Sequence, residues 1–508
     1  MTDLEDDDWL DEDEHEDPAL LHEPWPSDLA YLEDELVWVA KRCERIALER
    51  RRDARGEGRT APRASFALDE VDRMDDLALE HRVAMVELEE SRARVWLDTR
   101  LRAHRELGFE LGLDRVVRTY GLDEFERKVL LVGAGPCVAR RYERLYAGLG
   151  GDRLESLTVD ACFHFAALSV SERIARRGVL GPRGRLLTSG LLEASFGNAP
   201  APKDLLSTEL TLRGRTFSAM LGDDRLGDEL ADLARLEFPR ASFDRVVLPE
   251  DSRRRILTVI DDRERVLEAR KRWGLEGAIT YGRGTVLLFD GPPGTGKTLC
   301  AHAIAERLGA RVLHVDVASF LSHSDGASFV PLIFREACLQ RALLFFDECD
   351  AIFTSRRAGN PLMHILLTEL ERFEGTCVLA TNLPDLLDDA LWRRALVRVH
   401  FERPDRAARV ALWRAHLPPG LPLSPDVDLD ALAEIELTGG AIKNAVLNAA
   451  AAAVHAAQSL DSATVTQAML SAAAHEQGAG RRLTRADRER VAREDAAAVE
   501  PRRPTGFS

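Results

Sequence analysis

One stretch of the chain has residue types and spacing that suit the binding of a phosphate group. Residues 291–298 read GPPGTGKT, which fits the pattern Gly-x-x-x-x-Gly-Lys-Ser/Thr. Its three glycines let backbone N–H groups surround a phosphate without a Cβ in the way. Lys297 adds a charge for the β- and γ-phosphates, and the Thr298 hydroxyl can bind Mg²⁺. We predict that ATP binds at Gly291, Pro292, Pro293, Gly294, Thr295, Gly296, Lys297, Thr298 and Leu299.

A second stretch could complete the chemistry of hydrolysis. Residues 342–350 read ALLFFDECD, an apolar strand pattern that ends in acids. Asp347 would complete the Mg²⁺ shell, and Glu348 is placed to polarise an attacking water. In isolation such a pair is usually a solvated turn, but here it follows a phosphate-binding pattern. Asp350 is expected to support the turn rather than the chemistry.

Two further polar features follow in the sequence. Asn382 comes directly after the apolar run TCVLAT and could orient a water against the γ-phosphate, although an Asn that starts a turn is the alternative. Arg393 and Arg394 lie in LDDALWRR (387–394). They are either surface arginines on a helix or positive charges aimed at a phosphate outside their own chain.

These residues must be positioned by a sheet. Apolar runs alternate with helical stretches from residue 241 to 405, which predicts an α/β domain with a mainly parallel sheet. The predicted strands are 285–290, 311–316, 342–347, 376–381 and 397–401. Because ligands bind at the carboxyl ends of such strands, the motif ends should meet there. Residues 406–475 are Ala-rich and helical and should form a lid.

The N-terminal half differs from the sheet region in composition and in its predicted secondary structure. Residues 1–30 are acidic and interrupted by prolines, so we predict a disordered tail, with a partner-docking segment as the alternative. Residues 31–240 are predicted to be mostly helical. Five arginines around Gly-Pro turns in this region could contact DNA or could end a solvated helix: Arg173, Arg176, Arg177, Arg183 and Arg185. Residues 476–508 are predicted to be a disordered tail.

Composition limits the classes of protein to consider. Of the formal net charge of −17, nearly all lies in residues 1–36, so the folded body has no general nucleic-acid footprint and a nucleic-acid partner is not expected. Seven dispersed cysteines without C-x-x-C spacing fit a reducing compartment. No apolar run is long enough to span a membrane. We therefore expect a cytoplasmic protein without membrane insertion.

The order and spacing of 291–298, Asp347-Glu348, Ala380-Thr381-Asn382 and 387–394 resemble an AAA+ ATPase module over about 245–475. The resemblance implies a P-loop NTPase parallel sheet with a C-terminal helical lid. With its N-terminal half, the chain is similar to bacterial AAA ATPases that carry a winged-helix-like N-terminal domain. That group includes ATPases associated with extracellular contractile injection systems.

The resemblance also implies an assembly and site roles. Such modules form homo-oligomeric rings, usually hexamers, with ATP between subunits, and they act on protein clients or assemblies. Arg393 matches the arginine finger, with Arg394 beside it. Lys443, in TGGAIKNA, stands where the lid usually has a phosphate-sensing arginine, and lysine lacks the bidentate fork.

The chain departs from the family pattern at two places, directly after the arginine finger and in the pore-loop segment. Leu396 stands where many members have a further arginine, with Arg398 next. The pore-loop segment reads LSHSDGASF and has no aromatic residue directly before Gly326. Phe320 or Phe329 could substitute, but each is expected to pack in the core. Threading of a polypeptide therefore does not follow from the sequence.

Three functions remain open at this point. The first is a Mg²⁺-dependent ATPase ring that remodels or assembles a protein complex. The second is a nucleotide-gated scaffold with slow hydrolysis. The third is a DNA-associated ATPase.

Overall fold

The computed structural model describes residues 23–57, 74–147, 149, 156–195, 205–275, 284–323, 326–350, 352, 361–384 and 389–478. The chain divides into two compact units, Met1–Gly227 and Asp228–Ser508. Among the described residues, no helix is both long and apolar enough to cross a membrane.

The first unit is mostly helical, as predicted. Its helices are α1 (Asp28–Gly56), α2 (Asp76–Glu106), α3 (Gly112–Tyr120), α4 (Glu124–Val138), α5 (Arg141–Ala147), α6 (Val159–Phe165), α7 (Val170–Arg176), α8 (Arg185–Thr188) and α9 (Gly214–Met220). Local sequence accounts for several starts: Ser27 caps α1, and Asp123 with Glu126 forms a capping box on α4. Strands β1 (Leu192–Ser195) and β2 (Glu209–Leu212) pair antiparallel between α8 and α9.

The start of this unit corrects the prediction of a disordered tail over 1–30. Trp25 is buried, its indole N–H donates to Asp34 at 2.6 Å, and its ring lies 4.9 Å from that of Tyr31. The Arg100 guanidinium lies 4.5 Å from the Trp25 ring. The acidic composition of the segment did not reveal this packing, because Arg100 comes from α2, far along the chain. The docking alternative rests on Trp9, Leu10, Leu20, Leu21 and Trp25; the first four lie in residues 1–22, outside the described residues, and Trp25 is buried within the chain.

The second unit contains the predicted parallel sheet. Its strands are β3 (Ala234–Glu237), β4 (Thr285–Asp290), β5 (Val312–Val315), β6 (Leu343–Phe346), β7 (Thr376–Thr381) and β8 (Val397–His400). Their order is β3-β5-β6-β7-β4-β8, with every pair parallel except β3–β5. Every residue of β4 and β7 is buried, as expected for inner strands of a parallel sheet.

Helices of the second unit surround the sheet and form the lid. They are α10 (Glu250–Asp261), α11 (Arg263–Arg272), α12 (Lys297–Arg307), α13 (Val317–Ser322), α14 (Gly326–Leu339), α15 (Pro361–Arg372), α16 (Asp389–Arg394), α17 (Arg406–His416), α18 (Leu429–Ala433) and α19 (Gly439–Ala456). The predicted lid is present as α17–α19 with a further helix at 467–478, packed around buried Trp413. Residues 479–508 lie outside the described residues.

The boundary between units differs from the expected one at 240/241. Strand β3 was not predicted, yet it pairs with β5 from Ala234↔Val315 to Glu237↔Val312. Residues 228–240 therefore belong to the sheet-containing unit. The strand was missed because four residues with an arginine inside carry too little periodicity to identify it.

Candidate functional site

The loop at 291–298 lies between the end of β4 and the start of α12, the context that the phosphate-binding pattern requires. Gly291 has φ 137° and Gly296 has φ 106°, backbone angles that L side chains rarely adopt. A Cβ on Gly291 would also overlap the carbonyl oxygen of Phe401. The loop conformation thus depends on glycine at both positions.

Lys297 is buried at the first position of α12. Its ammonium donates to the carbonyl oxygens of Gly291 at 2.7 Å and Pro292 at 3.0 Å, and to Asn382 Oδ1 at 2.9 Å. Burial lowers the pKa of Lys297 from its ordinary value, while the carboxylate of Asp347 acts in the opposite direction. The structure therefore brings the predicted lysine and the predicted amide together.

The hydroxyl of Thr298 donates to Asp347 Oδ2 at 2.8 Å. Asp347 follows β6, so the two predicted metal ligands meet at one edge of the sheet. A hydroxyl oxygen beside a carboxylate is a donor set that suits Mg²⁺, which takes few protein oxygens and completes its shell with phosphate and water. These two residues would hold the ion, and the ion would neutralise charge on the β- and γ-phosphates.

Glu348 adopts an unusual backbone conformation beside this pair. Its φ is 53°, in the left-handed region that non-glycine residues rarely occupy, and its side chain is exposed. Its N–H donates to Asp347 Oδ1 at 3.0 Å, and the next N–H, of Cys349, donates to Ala380 O at 2.9 Å. These bonds fix the backbone on either side of Glu348, and its exposed side chain directly follows Asp347, a position suited to polarising a water.

Asp350 supports the turn after β7, in agreement with the role expected from the sequence. Its Oδ1 accepts hydrogen bonds from the N–H of Asn382 at 3.0 Å and of Leu383 at 3.1 Å, and the Thr381 hydroxyl also donates to it. The position of the Asn382 amide therefore depends on a carboxylate 32 residues earlier in the chain.

The two neighbouring arginines have different surroundings. Arg394 is half-buried and its guanidinium bonds to Glu371 of α15. Arg393 is exposed, and it makes no ion pair or hydrogen bond with the residues that the structure describes. Of the pair, Arg394 is the one with an ion-pair partner among the residues that the structure describes, and Arg393 is the more exposed.

The lid contacts the phosphate-binding loop directly. The N–H of Gly440, in the first turn of α19, donates to the carbonyl oxygen of Gly294 at 3.0 Å. Lys443 lies exposed one turn further on. Burial, and then the charges of Arg245 and Lys443, lower the pKa of His416, which places three basic groups in this part of the unit.

Sequence reasoning missed one contact at the start of the loop. Asp290, the last residue of β4, is buried and bonds to His400 Nδ1 at the end of β8. An acid at the carboxyl end of a strand was the observation that singled out Asp347, and the same observation could have found Asp290.

The two aromatic residues of the pore-loop segment differ, because the expected packing in the core is found for Phe320 and not for Phe329. Phe320 is buried, and Phe329 is half-buried with its ring 5.8 Å from that of His323. Residues 324 and 325 lie outside the described residues.

Most of the arginines considered for DNA contact are engaged within the first unit. Arg176 bonds to Asp123, Arg185 lies 3.7 Å from Glu126, and Arg173 lies 3.7 Å from Asp160. Charges already neutralised in this way are poor candidates for phosphate contacts.

Comparisons with known proteins agree with both halves of this description. Residues 13–234 match the family described as winged helix domain, variant, and residues 287–404 match the ATPase family associated with various cellular activities (AAA).

Three relatives illustrate the similarity. The chain is 34% identical over 245 residues to the ATP-dependent zinc metalloprotease FtsH 3 of Symbiobacterium thermophilum, covering 44% of this chain and 38% of the relative. It is 36% identical over 252 residues to FtsH of Acidothermus cellulolyticus, covering 46% and 36%. It is 39% identical over 165 residues to the Cell division cycle protein 48 homolog of Archaeoglobus fulgidus, covering 29% and 22%.

The chain thus spans little more than a third of the FtsH relatives. Its sequence contains no His-Glu-x-x-His, the zinc-protease motif, and no protease activity is carried over from their name. What the matches and the sheet topology establish together is an AAA ATPase domain, homologous to those of FtsH and CDC48 proteins, that follows a helical winged-helix region.

Proposed function

We propose that this protein is a Mg²⁺-dependent ATPase that assembles into a homo-oligomeric ring, a hexamer, and uses ATP turnover to remodel or assemble a protein complex. The observation that carries the proposal is the 2.8 Å contact between Thr298 and Asp347, with Lys297 bonded to Asn382 beside it. Four side chains from three sequence motifs meet at one edge of the sheet, where charge and hydrogen bonds would hold a nucleoside triphosphate.

The proposed roles follow the geometry. The loop 291–299 binds ATP, Thr298 and Asp347 hold Mg²⁺, and Glu348 polarises the attacking water. Asn382 orients that water, and Lys443 contacts phosphate from the lid. Arg393 acts in trans on the ATP of a neighbouring subunit, where its charge stabilises the transition state.

The proposed ring is supported by the exposure of Arg393, since an exposed arginine without a partner among the described residues is available to the ATP of a second copy. The similarity to AAA ATPases associated with contractile injection systems extends the proposal to an accessory role in such a system. The proposed compartment is the cytoplasm, in line with seven cysteines that are all free thiols.

ATP turnover measured against protein concentration tests the proposal. Wild type should gain specific activity as the ring assembles, Glu348→Gln should lose turnover, and the matched exposed variant Glu436→Gln should keep it. When Arg393→Ala subunits are mixed with wild-type subunits, the ATP turnover of the mixed rings should fall below that expected from their wild-type content. Wild-type turnover equal to that of Glu348→Gln would refute the proposed ATPase activity.

A scaffold gated by nucleotide is the second candidate, favoured by the burial of Phe320, which is therefore not available to grip a polypeptide in a pore. In that case ATP orders the ring and slow hydrolysis resets it. ATP-dependent unfolding of a tagged substrate by the purified protein would exclude this candidate.

A further inference from the structure

Arg398 holds the end of helix α16, the helix that presents Arg393. Its guanidinium carbon lies 4.9 Å from the centre of the Trp392 ring, and its guanidinium also donates to the Trp392 carbonyl oxygen. A cation over an aromatic face and a charge-assisted hydrogen bond thus act on the residue directly before Arg393. Arg398 lies in β8, so the restraint comes from the sheet.

The residue directly after Arg393 is held as well. Arg394 forms an ion pair with Glu371 of α15, and Leu391 of the same helix as Arg394 is buried. Arg393 therefore lies between two residues tied to their own chain, while its own side chain is exposed.

The segment is also bonded to the strand that leads into the phosphate-binding loop. The N–H of Leu396 donates to Val286 O at 2.8 Å, and that of Phe401 donates to Asp290 O at 2.7 Å. β4, which contains Val286, ends at Asp290, directly before Gly291. The backbone around Arg393 is thus fixed against the nucleotide site of the same subunit.

We infer that Arg398 is a positioning residue for Arg393: by clamping Trp392 it holds the α16 terminus so that Arg393 reaches the phosphates of a neighbouring copy's ATP. The inference rests on the proposed ATPase and on Arg393 acting in trans. A charge that stabilises a transition state must be held near its target, because small displacements reduce the rate strongly. The Arg398 fork turns back onto Trp392, so this arginine does not replace the one missing at Leu396.

The test measures kcat, KM and ADP affinity of the full chain for Arg398→Ala, Arg393→Ala and the double variant. Arg398→Ala should lower kcat about tenfold and leave KM and the Kd for ADP within about twofold, because the Arg398 guanidinium contacts Trp392 and not the nucleotide-binding loop. The double variant should be no slower than Arg393→Ala, since a residue that acts only through Arg393 adds nothing once Arg393 is gone.

Two conservative changes separate positioning from general structure. Arg398→Lys should recover part of kcat, because an ammonium can still lie over the ring but lacks the fork. Trp392→Leu removes the ring and should resemble Arg398→Ala, which keeps the test available if Arg398→Ala does not fold. Arg414→Ala, an exposed arginine of α17, is the control and should match wild type.

The outcomes are distinguishable. If Arg393→Ala lowers turnover while Arg398→Ala and Trp392→Leu do not, the positioning role is wrong and the proposed function stands. A double variant much slower than Arg393→Ala also refutes it, since Arg398 would then act independently. If Arg393→Ala turns over ATP as wild type does, the action in trans is itself refuted.

Discussion

Changing Asp350 to Asn should displace Asn382 without touching the nucleotide-binding loop. The carboxylate accepts hydrogen bonds from the N–H groups of Asn382 and Leu383 and from the Thr381 hydroxyl. Asn can keep an accepting oxygen where Oδ1 lies, but its NH₂ group would then face the N–H of Asn382, which also donates to Oδ2 at 3.2 Å, and the negative charge is lost. The turn would therefore lose part of its support, while Thr298 and Asp347 keep their contact.

The magnitude follows from the bonds lost. A hydrogen bond to a charged group contributes about 1.5–3 kcal/mol, whereas Asn keeps the bonds to Oδ1 only as weaker bonds to a neutral oxygen and loses the contact at Oδ2. We expect Asp350→Asn to lower the free energy of unfolding by about 2 kcal/mol and Asp350→Ala by about 3–4 kcal/mol. A shift of about 1 Å in the Asn382 amide should lower kcat on the order of 10- to 100-fold.

The assay combines urea denaturation with steady-state ATP turnover and ADP binding. ADP affinity should be unchanged or higher, because removal of the Asp350 charge leaves more of the Lys297 charge for phosphate. Thr381→Val, which removes one donor, should give a smaller loss of kcat in the same direction. Asp232→Asn, at an exposed carboxylate, is the matched control.

Two results would refute this reasoning. A kcat for Asp350→Asn within about twofold of wild type would show that the turn does not place Asn382 for chemistry. Complete loss of kcat together with full activity in Thr381→Val and unchanged stability would instead assign Asp350 a direct chemical role.

Three further predictions concern other parts of the chain. Gly291→Ala should abolish ATP binding in a fluorescence titration, because the new Cβ would overlap the Phe401 carbonyl, and binding near the wild-type Kd would contradict the loop geometry. Trp25→Ala should destabilise the first unit by about 3–5 kcal/mol in urea, and a change below about 1 kcal/mol would mean that the segment around residue 25 does not pack. Burial and the neighbouring Arg50 lower the pKa of His164 to about 4, so the folded state binds fewer protons than the unfolded state between about pH 6.5 and 4. Stability should therefore fall as pH drops through that window, by at most about 3 kcal/mol, and His164→Gln should flatten the profile of the urea midpoint against pH.

Much of the sheet was predictable because its strands are buried on both faces. β4 and β7 occur at the predicted residues, since a short continuous apolar run between a turn and a polar end leaves few alternatives. β3 was not predictable, because its place is set by pairing with β5 about eighty residues later in the chain.

The residues of the candidate site could be predicted from the sequence, but the contacts between them could not. Local sequence identified Asp347 and Lys297 through their position after strands and within a glycine-rich loop. It could not separate Arg393 from Arg394, because the difference depends on Glu371, which a different helix supplies. The packing of Trp25 likewise depends on α2, far along the chain, which composition does not describe.

Strand β3 has a consequence for how the ATPase domain can be isolated. A fragment that begins at 241, the boundary expected from the sequence, would lack this strand and expose the edge of β5, in which Val312, Leu313 and Val315 are apolar and buried. An uncovered apolar edge is a template for pairing with other chains, so such a fragment should aggregate. A fragment that begins at 228 keeps the edge of β5 covered. The short strand β3 therefore prevents β5 from pairing with other chains, in addition to completing the sheet.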